Sequence, residues 1–579
     1  MRNFAKTSPQ WLMPRVALSA FLAVAMPLAL AGSQALGSSS KAALGTSLTA
    51  SYASLSARVT VADASTQCPA LAQDNFAGIA TAPTVISAAA LTTTNGKTYC
   101  EVQGYVAPQV QFQLMLPVQG WNRNLLFVGC GGFCGNVALN VVHAGNTDNY
   151  AVVAENQGHY SPSELDGVWA WNNLPGQVDW GYRAVHVVTL ASKQIIDTFY
   201  GSMPGFSYFD GCSDGGREGL MEAQRYPKDF NGIAAGDPNW LQNYLAAVAQ
   251  GWMEKINYTS SGKQILPSSK LALVSNAVYA KCAGPNGLIT DPAGCHPDPA
   301  ALTCPHDTDG SNCLTPAQVR VVEEIYTGPV NKHGVSLYPG GGLPAGSEDG
   351  WAGLDVAVPG QGLPAAADFA NQYLRYLAFT KEPPPSYSVQ QFNFNTDLSL
   401  LAKKGLIYNA DNPNLTAFDR AGGKLILYHG GSDPLISPYG TLYYYDDVTD
   451  LAGGIRATQK FARLFIVPGM YHCGGGPGVS TFDVLTPLTK WVQDGTPPNK
   501  ILATHLNSTG QATISLPLFP YPAYAKYDGQ GSPMLAQNYV EVTPARPADN
   551  DFCWIGRRGD GHEPHAGRGC TPPPGLQRA

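Results

Sequence analysis

FSYFDGCSDGGREGLMEAQRY, residues 206–226, decides the fold: an apolar strand-like run leads into GCSDG at 211–215, and helical periodicity follows. A serine hydroxyl is a weak nucleophile unless a sharp turn exposes it beside a base, and flanking glycines permit such a turn. Strand, turn and helix in this order predict an α/β-hydrolase fold with Ser213 as the nucleophile. A glycine-rich structural turn is the alternative for the same five residues.

The acid and the base should follow the nucleophile along the chain in this architecture. Asp433 comes just after the strand-like run KLILY, and His472 comes after the run RLFIV. A carboxylate at this point can hold the imidazole in the required tautomer and stabilise the imidazolium that forms. We therefore predict the triad Ser213, Asp433 and His472, and we interpret His159 and His429 as structural or pocket-lining.

Cysteines stand beside both the predicted nucleophile and the predicted base. Cys212 precedes Ser213, and Cys473 follows His472. If the serine meets the histidine, the two sulfurs must also lie close together. We therefore expect a disulfide between Cys212 and Cys473, with two unrelated buried thiols as the alternative.

Acyl transfer also needs hydrogen-bond donors for the negative charge that develops on the carbonyl oxygen. The backbone N–H of Asp214, directly after the nucleophile, is one candidate. The glycine cluster after the run NLLFV offers Gly132 as the other. A plain tight turn is the alternative interpretation of this cluster.

The alternation of strands and helices is interrupted once. Strand-like runs VQGYVAPQVQFQLMLPV, NLLFV and YAVVA and a helical pattern at 182–200 precede the serine motif, and KLILY and RLFIV follow it. Residues 240–417 instead contain Pro and Gly clusters, four cysteines and scattered aromatics. We predict a hydrolase core in two parts, 36–239 and 418–579, interrupted by an insertion at 240–417; insertions in this architecture commonly lie over the carboxyl ends of the strands.

The N-terminus and the cysteines indicate export. Residues 1–35 combine Arg2, Lys6 and Arg15 with an apolar run that ends in small residues, which is typical of a signal peptide; an uncleaved anchor is the alternative. Twelve cysteines suit disulfides in an oxidising compartment, so we expect a secreted or periplasmic protein without membrane attachment after signal removal. The net charge of -7 and the lack of basic blocks argue against a nucleic-acid partner.

The motifs GCSDGGREGL, GGKLILYHGGSDP and FARLFIVPGMYHCGGGPG resemble the tannase and feruloyl esterase family, which also contains terephthalate monoester hydrolases. The similarity extends over most of the chain after the predicted signal peptide. It implies an α/β hydrolase with a lid between nucleophile and acid, the same triad and Cys212–Cys473 disulfide, and catalysis without a cofactor. It also implies four further disulfides: Cys68–Cys100, Cys282–Cys295, Cys304–Cys313 and Cys553–Cys570. Cys130 and Cys134 are then left as a local pair.

The resemblance also implies a structural calcium site in the loop that follows Cys282. Calcium needs several oxygen ligands, preferably charged ones. The loop CAGPNGLITDPAGC offers only one carboxylate, that of Asp291. The residues therefore argue against the site that the resemblance implies.

The expected substrate is a small-molecule ester of an aromatic acid, such as a hydroxycinnamic or gallic acid. Hydrolysis of terephthalate monoesters is the enzymatic alternative, and a non-catalytic secreted binding protein is the alternative of another class. Arg375 cannot be aligned with the lid arginine that resemblance to a terephthalate monoester hydrolase implies. Tyr373, Phe379, Phe392 and Ile436 are candidate pocket residues, although aromatic residues are also buried for packing alone.

Overall fold

A nine-stranded mixed sheet forms the centre of the molecule in a computed structural model, which describes residues 60–544. The predicted signal peptide and the Cys553–Cys570 pair lie outside the described residues. The strands of this sheet are β1 (Thr84–Thr94), β2 (Lys97–Val106), β3 (Val110–Pro117), β4 (Asn124–Val128), β5 (Ala151–Glu155), β6 (Phe206–Cys212), β7 (Gly232–Gly236), β8 (Lys424–Gly430) and β9 (Ala462–Val467).

The strands lie side by side in the order β1-β2-β3-β5-β4-β6-β7-β8-β9. The first three form an antiparallel meander, and β3 pairs antiparallel with β5. All pairs from β5 onward are parallel. All the strand-like runs of the sequence analysis therefore contribute strands to this sheet.

Both faces of the parallel strands are covered, as is usual for strands joined by crossover helices. Successive side chains of β4 point to opposite faces. Leu125 and Phe127 belong to the apolar cluster on one face, whereas Leu126 and Val128 belong to the cluster on the other. This explains why the strand is a continuous apolar run without polar alternation.

The helices surround this sheet and fill the long connection between β7 and β8. They are α1 (Ala64–Ala70), α2 (Leu174–Val178), α3 (Ala184–Tyr200), α4 (Asp214–Arg225), α5 (Gln242–Tyr244), α6 (Gly251–Asn257), α7 (Leu271–Cys282), α8 (Pro316–Thr327), α9 (Ala365–Tyr376), α10 (Leu398–Tyr408), α11 (Thr416–Arg420), α12 (Pro438–Ala452), α13 (Ile455–Thr458) and α14 (Leu485–Asp494). None of the described helices has the length and apolar character that a membrane span requires.

Residues 240–417 connect β7 with the segment that leads into β8 and contribute no strand to the central sheet. They contain an apolar cluster of their own, to which Leu271, Val322 and Trp351 belong. This separate packing explains why the βα rhythm of the sequence stops here. The domain boundaries proposed above stay a prediction.

Two antiparallel strand pairs follow α14 and were not predicted. They are β10 (Ile501–Leu506) with β11 (Ala512–Leu518), and β12 (Tyr524–Tyr527) with β13 (Tyr539–Val542). The first pair packs on the sheet through Ile501, Ala503 and Leu516. It thereby shares with α14 the apolar cluster on one face of the sheet.

Candidate active site

Ser213 occupies the sharp turn between β6 and α4. Its φ of 64° and ψ of -117° lie in a region that residues with a Cβ rarely adopt. Its N–H donates to the Gly236 carbonyl at 3.0 Å, and its carbonyl accepts from the Arg217 N–H at 3.1 Å. A Cβ at position 211 would lie 2.8 Å from the backbone of Gly215, so Gly211 is required by close approach.

The predicted acid and base are hydrogen-bonded to each other. Nδ1 of His472 lies 2.8 Å from Oδ2 of Asp433. Oδ1 of this buried carboxylate accepts the N–H groups of Leu435 and Ile436 at 2.7 and 3.0 Å, which fix its orientation. His472 and Ser213 line the same cavity, so the structure brings all three predicted residues to one site.

A disulfide joins the two loops that carry the serine and the histidine. Cys212 and Cys473 are bonded across 261 residues of sequence, with their Cα atoms 5.9 Å apart. The structure thus contains the bond expected from the two adjacencies. It also contains the other four expected disulfides of the described range, Cys68–Cys100, Cys130–Cys134, Cys282–Cys295 and Cys304–Cys313.

Neighbouring charges set the protonation of the acid–base pair. Burial acts to lower the pKa of His472, but the Asp433 carboxylate, with help from Asp237 and Glu164, raises this pKa to about 8. Burial acts to raise the pKa of Asp433, but the charge of His472 and hydrogen bonds from His429 and His472 hold it well below its usual range. Asp433 is therefore ionised at neutral pH, whereas His472 would have to lose a proton before it could fill the predicted role of base.

A second buried carboxylate and a second buried histidine support this arrangement. Asp237, directly after β7, accepts the N–H groups of Gly430 at 2.7 Å and Cys473 at 3.1 Å. Nε2 of His429 lies 3.3 Å from the Asp433 carboxylate and 3.5 Å from that of Asp237. These two residues therefore connect the acid, the histidine loop and the end of β7.

The pKa values of this pair also reflect burial and charge. Burial raises the pKa of Asp237 to about 6, against the opposing effect of the nearby histidines. Burial acts to lower the pKa of His429, but the carboxylates of Asp237 and Asp433 outweigh it and raise the pKa. Sequence reasoning missed Asp237, although its place at the carboxyl end of a parallel strand is where site residues gather.

The glycine loop after β4 lies against the start of α4. The Gly215 N–H donates to the Cys130 carbonyl at 2.7 Å. Gly132 has a φ of 60°, and a Cβ there would lie 2.5 Å from a carbonyl oxygen of the facing loop. Gly132 and Asp214, the two predicted oxyanion donors, both border the cavity that Ser213 lines.

A buried ion pair anchors Asp214, the residue that follows Ser213. The Asp214 carboxylate accepts hydrogen bonds from Nε and Nη2 of Arg217, at 2.6 and 2.9 Å. Arg217 also donates to the carbonyls of Gly181 and Trp180 at 2.8 and 2.9 Å, and its guanidinium lies 4.5 Å from the centroid of the Trp180 ring. The start of α4 is thereby fastened to the turn before α3.

The cavity beside Ser213 has a volume of about 540 Å³. Its glycine loop, serine turn and histidine loop come from the carboxyl ends of the strands, and residues 240–417 supply part of its wall. The apolar lining side chains are Ala138, Val142, Leu165, Leu245, Leu354, Ala365, Phe369, Leu435 and Ile436. The polar ones, apart from the triad and its neighbours, are Asn136, Asn140, Glu164, Asn239 and Gln250.

The structure corrects the predicted aromatic pocket. Ile436 lines the cavity, but Tyr373, Phe379 and Phe392 do not. Each of these three rings packs edge to face against another aromatic ring within residues 240–417. They were mistaken for pocket residues because burial among aromatics and exposure to a ligand select the same residue types.

Arg375, His159 and His143 do not line the cavity. Nε of Arg375 donates to the Tyr387 carbonyl at 2.6 Å, and the side chain does not line the cavity. His159 stacks on Trp169 with ring centroids 3.7 Å apart, and burial lowers its pKa to about 4. Nε2 of His143, which was not predicted, contacts the Cys473 carbonyl at 3.1 Å and supports the histidine loop.

The calcium loop that the resemblance implies lacks a suitable set of ligands. Cys282 and Cys295 close it, and Asp291 is its one acidic residue. Oδ1 of Asp291 accepts the Gly294 N–H at 3.0 Å, and the side chain is exposed. A single exposed carboxylate does not fit the several charged oxygens that calcium prefers, so we derive no calcium-dependent step.

The strand order and the flanking helices place this protein in the α/β-hydrolase class of folds. The crystal structure of feruloyl esterase B from Aspergillus oryzae has the same fold, with a TM-score of 0.71 at 23% identity, over 83% of this chain and 100% of that one. The family model of tannase and feruloyl esterase matches residues 93–542. The chain therefore belongs to the tannase and feruloyl esterase family, and it is a carboxylic ester hydrolase.

Two bacterial relatives agree with this assignment. An uncharacterized esterase of Xanthomonas campestris pv. campestris is 31% identical over 561 residues, which cover 86% of this chain and 94% of the relative. The mono(2-hydroxyethyl) terephthalate hydrolase of Piscinibacter sakaiensis is 31% identical over 534 residues, which cover 80% of this chain and 87% of that relative. The resemblance drawn from the motifs is thus confirmed.

Proposed function

We propose that this esterase hydrolyses esters of aromatic acids through an acyl-enzyme intermediate on Ser213. One observation carries the proposal: the strained serine turn and the imidazole of His472, bound by Asp433, border one cavity. This is the arrangement by which a serine hydroxyl becomes a nucleophile near neutral pH.

In the first step Nε2 of His472 takes the proton of the Ser213 hydroxyl while Oγ attacks the ester carbonyl. The N–H groups of Asp214 and Gly132 bind the oxyanion, and the alcohol leaves with the proton that His472 returns. In the second step His472 takes a proton from water, whose oxygen attacks the acyl carbonyl. The bond between the acyl carbon and Ser213 Oγ then breaks, Oγ takes the proton back from His472, and the acid leaves. Asp433 keeps the proton on Nδ1 and stabilises the imidazolium throughout.

The cavity supports an aromatic acyl group. Its volume of about 540 Å³ lies in the range of small-molecule sites, and Leu354, Phe369 and Ile436 give it apolar walls. The amides of Asn136 and Asn140 can bond ring hydroxyls, which favours hydroxycinnamic and gallic esters. A terephthalate monoester carries a carboxylate, and the described lining contains no Lys or Arg to bind it.

We also propose that the protein acts outside the cytoplasm, in the periplasm or the medium. Five disulfides lie within residues 60–544, and disulfides persist in oxidising compartments. The predicted signal peptide at 1–35 supports the same location. Cell fractionation of a tagged full-length chain tests this, and retention in the cytoplasm would contradict it.

A substrate panel tests the proposed activity. We expect kcat/KM for methyl ferulate or methyl gallate to exceed that for mono(2-hydroxyethyl) terephthalate by at least about tenfold. The Ser213→Ala variant, with an unchanged circular dichroism spectrum, should hydrolyse none of them measurably. Preference for the terephthalate monoester would favour the alternative function.

A further inference from the structure

We propose that Glu164 gives the active site a charge preference: it disfavours esters that carry negative charge near the reacting carbonyl and favours neutral or cationic ones. The inference deepens the proposed function and rests on it. It assigns a specificity-determining role to a residue that no sequence motif indicated.

Glu164 is held beside the reacting groups. It borders the cavity together with Ser213 and His472. Its carbonyl accepts the Phe133 N–H at 2.7 Å, which ties its backbone to the oxyanion loop. Its carboxylate passes close to that loop, because a Cβ placed on Gly131 would lie 3.4 Å from Oε2.

The charge of Glu164 is not balanced within the cavity wall. Asp214, another acid of the lining, is paired with the buried Arg217, whereas no salt bridge to Glu164 forms among residues 60–544. The lining there contains neither Lys nor Arg. The carboxylate side chain of Glu164 is exposed at this wall. The wall therefore adds a net negative field when His472 is in its neutral, reactive form.

This field already acts on the catalytic base. The carboxylate of Glu164 is one of the charges that raise the pKa of His472, so it lies within electrostatic range of the reacting atoms. A substrate charge about 6–10 Å from such a carboxylate at a solvent-accessible site changes binding by about three- to tenfold. An anionic ester is disfavoured by that factor, and a cationic ester is favoured by it.

The test compares esters that differ in charge but scarcely in shape. Methyl 4-(trimethylammonio)benzoate is paired with methyl 4-tert-butylbenzoate, and benzoylcholine with 3,3-dimethylbutyl benzoate, which moves the charge to the alcohol side. Monomethyl terephthalate is paired with dimethyl terephthalate. The kcat/KM ratio of charged to neutral ester is measured for the wild type and for Glu164→Gln, at a pH above the titration of His472.

We expect Glu164→Gln to lower the cationic-to-neutral ratio about three- to tenfold in at least one cationic pair. It should raise the anionic-to-neutral ratio by a similar factor. Comparing ratios between variants cancels the intrinsic reactivity of each ester. Raising the salt concentration should bring the charged-to-neutral ratios of the wild type closer to those of Glu164→Gln, because salt screens the charge of Glu164. The ratios of the variant should change less.

Asp166→Asn is the matched control. Asp166 lies two residues further along the same loop, does not line the cavity, and the change removes the same charge. Asn retains the oxygen that accepts the Val168 N–H at 3.0 Å. Its ratios should stay within about twofold of the wild type.

The possible failures can be told apart. If the neutral esters are hydrolysed but no ratio changes in Glu164→Gln, or if Asp166→Asn changes the ratios equally, the role of Glu164 is refuted. If no variant or wild-type protein hydrolyses any neutral ester, the proposed function itself fails, and this inference fails with it.

Discussion

His472 is the residue whose protonation should control the rate. Its pKa is raised to about 8 because the charge of Asp433 outweighs the effect of burial. The imidazole is therefore protonated, and unable to accept the serine proton, below this pH. We expect kcat/KM to rise with pH and to reach half its maximum near pH 8, in a pH–rate profile with a neutral ester. A profile that is flat from pH 6 to pH 9 would contradict this assignment.

His429 should act on the rate through Asp433, as a positioning residue. Its imidazole lies between two buried carboxylates, which raise its pKa. The two carboxylates favour the protonated form of His429. Replacing it by glutamine removes this source of positive charge beside Asp433, so the effect of the Asp433 charge on His472 becomes stronger. We expect His429→Gln to move the rising limb of the pH–rate profile toward higher pH by up to about one unit, besides lowering kcat.

The matched control for this shift is His159→Gln. His159 is also buried, but its pKa is lowered to about 4, so it is neutral at the pH of the assay. The rising part of the pH–rate profile of His159→Gln should therefore lie at the same pH as in the wild type. If His429→Gln lowers kcat without moving the limb, its role is structural only.

Single residues also show how far the sequence could be interpreted. Ser213, Asp433 and His472 were singled out because each follows a strand-like run at a position that the proposed chemistry prescribes, and the structure places all three at one site. Asp237 was not, because its contacts with Gly430 and Cys473 span about two hundred residues of sequence and leave no local pattern. The role of a buried carboxylate is set by partners that only the fold brings together.

At the scale of elements, strands were predictable where β-branched and large apolar residues form them. Strand β7, with the sequence GIAAG, was missed because Gly and Ala do not favour strands. The structure explains this composition, since a Cβ on Gly236 would lie 2.0 Å from the ring of Tyr428. Small residues are needed here because aromatic rings of a neighbouring strand occupy the space.

The start of α4 offers a test of how the turn at Ser213 is anchored. Arg217→Met leaves the Asp214 carboxylate buried without its partner, which should cost about 3–5 kcal/mol of unfolding free energy. Urea unfolding followed by intrinsic fluorescence measures the loss. Arg320→Met, on the exposed face of α8, should change the same quantity by less than about 0.5 kcal/mol. Equal losses in both variants would show that the buried pair has no special role.

At the scale of the whole molecule, one disulfide connects parts of the site that are 261 residues apart. We expect the double variant Cys212→Ser/Cys473→Ser to lose about 2–5 kcal/mol of stability and more than about tenfold in kcat/KM, with an unchanged far-ultraviolet circular dichroism spectrum. Loosening of the link between the serine turn and the histidine loop is the physical reason.

The control for this change is Cys304→Ser/Cys313→Ser. That bond spans 9 residues within the segment 240–417, and neither cysteine lines the cavity. Its loss should leave kcat/KM within about twofold of the wild type. Full activity of the Cys212/Cys473 double variant would show that the tie between the loops is dispensable.

The long segment between β7 and β8 marks the limit of prediction at this scale. The break in the βα rhythm indicated an insertion, but not which of its side chains reach the cavity. Phe369 lines it, whereas Tyr373, four residues further along the same helix, is fully buried in the core. The two residues lie one turn apart on the same face of α9, so the difference between them is their position along the helix. Which turn of this face reaches the cavity depends on how the segment packs on the sheet, and the sequence pattern does not contain that placement.

The most direct test of the whole account is to find the residue that becomes covalently modified during turnover. The protein is treated with a fluorophosphonate ester, digested and mapped by mass spectrometry, alongside His472→Ala and Asp433→Ala. We expect one adduct, on Ser213, formed at least about a hundredfold more slowly in either variant. An adduct on another residue, or undiminished labelling without His472, would contradict the proposed triad.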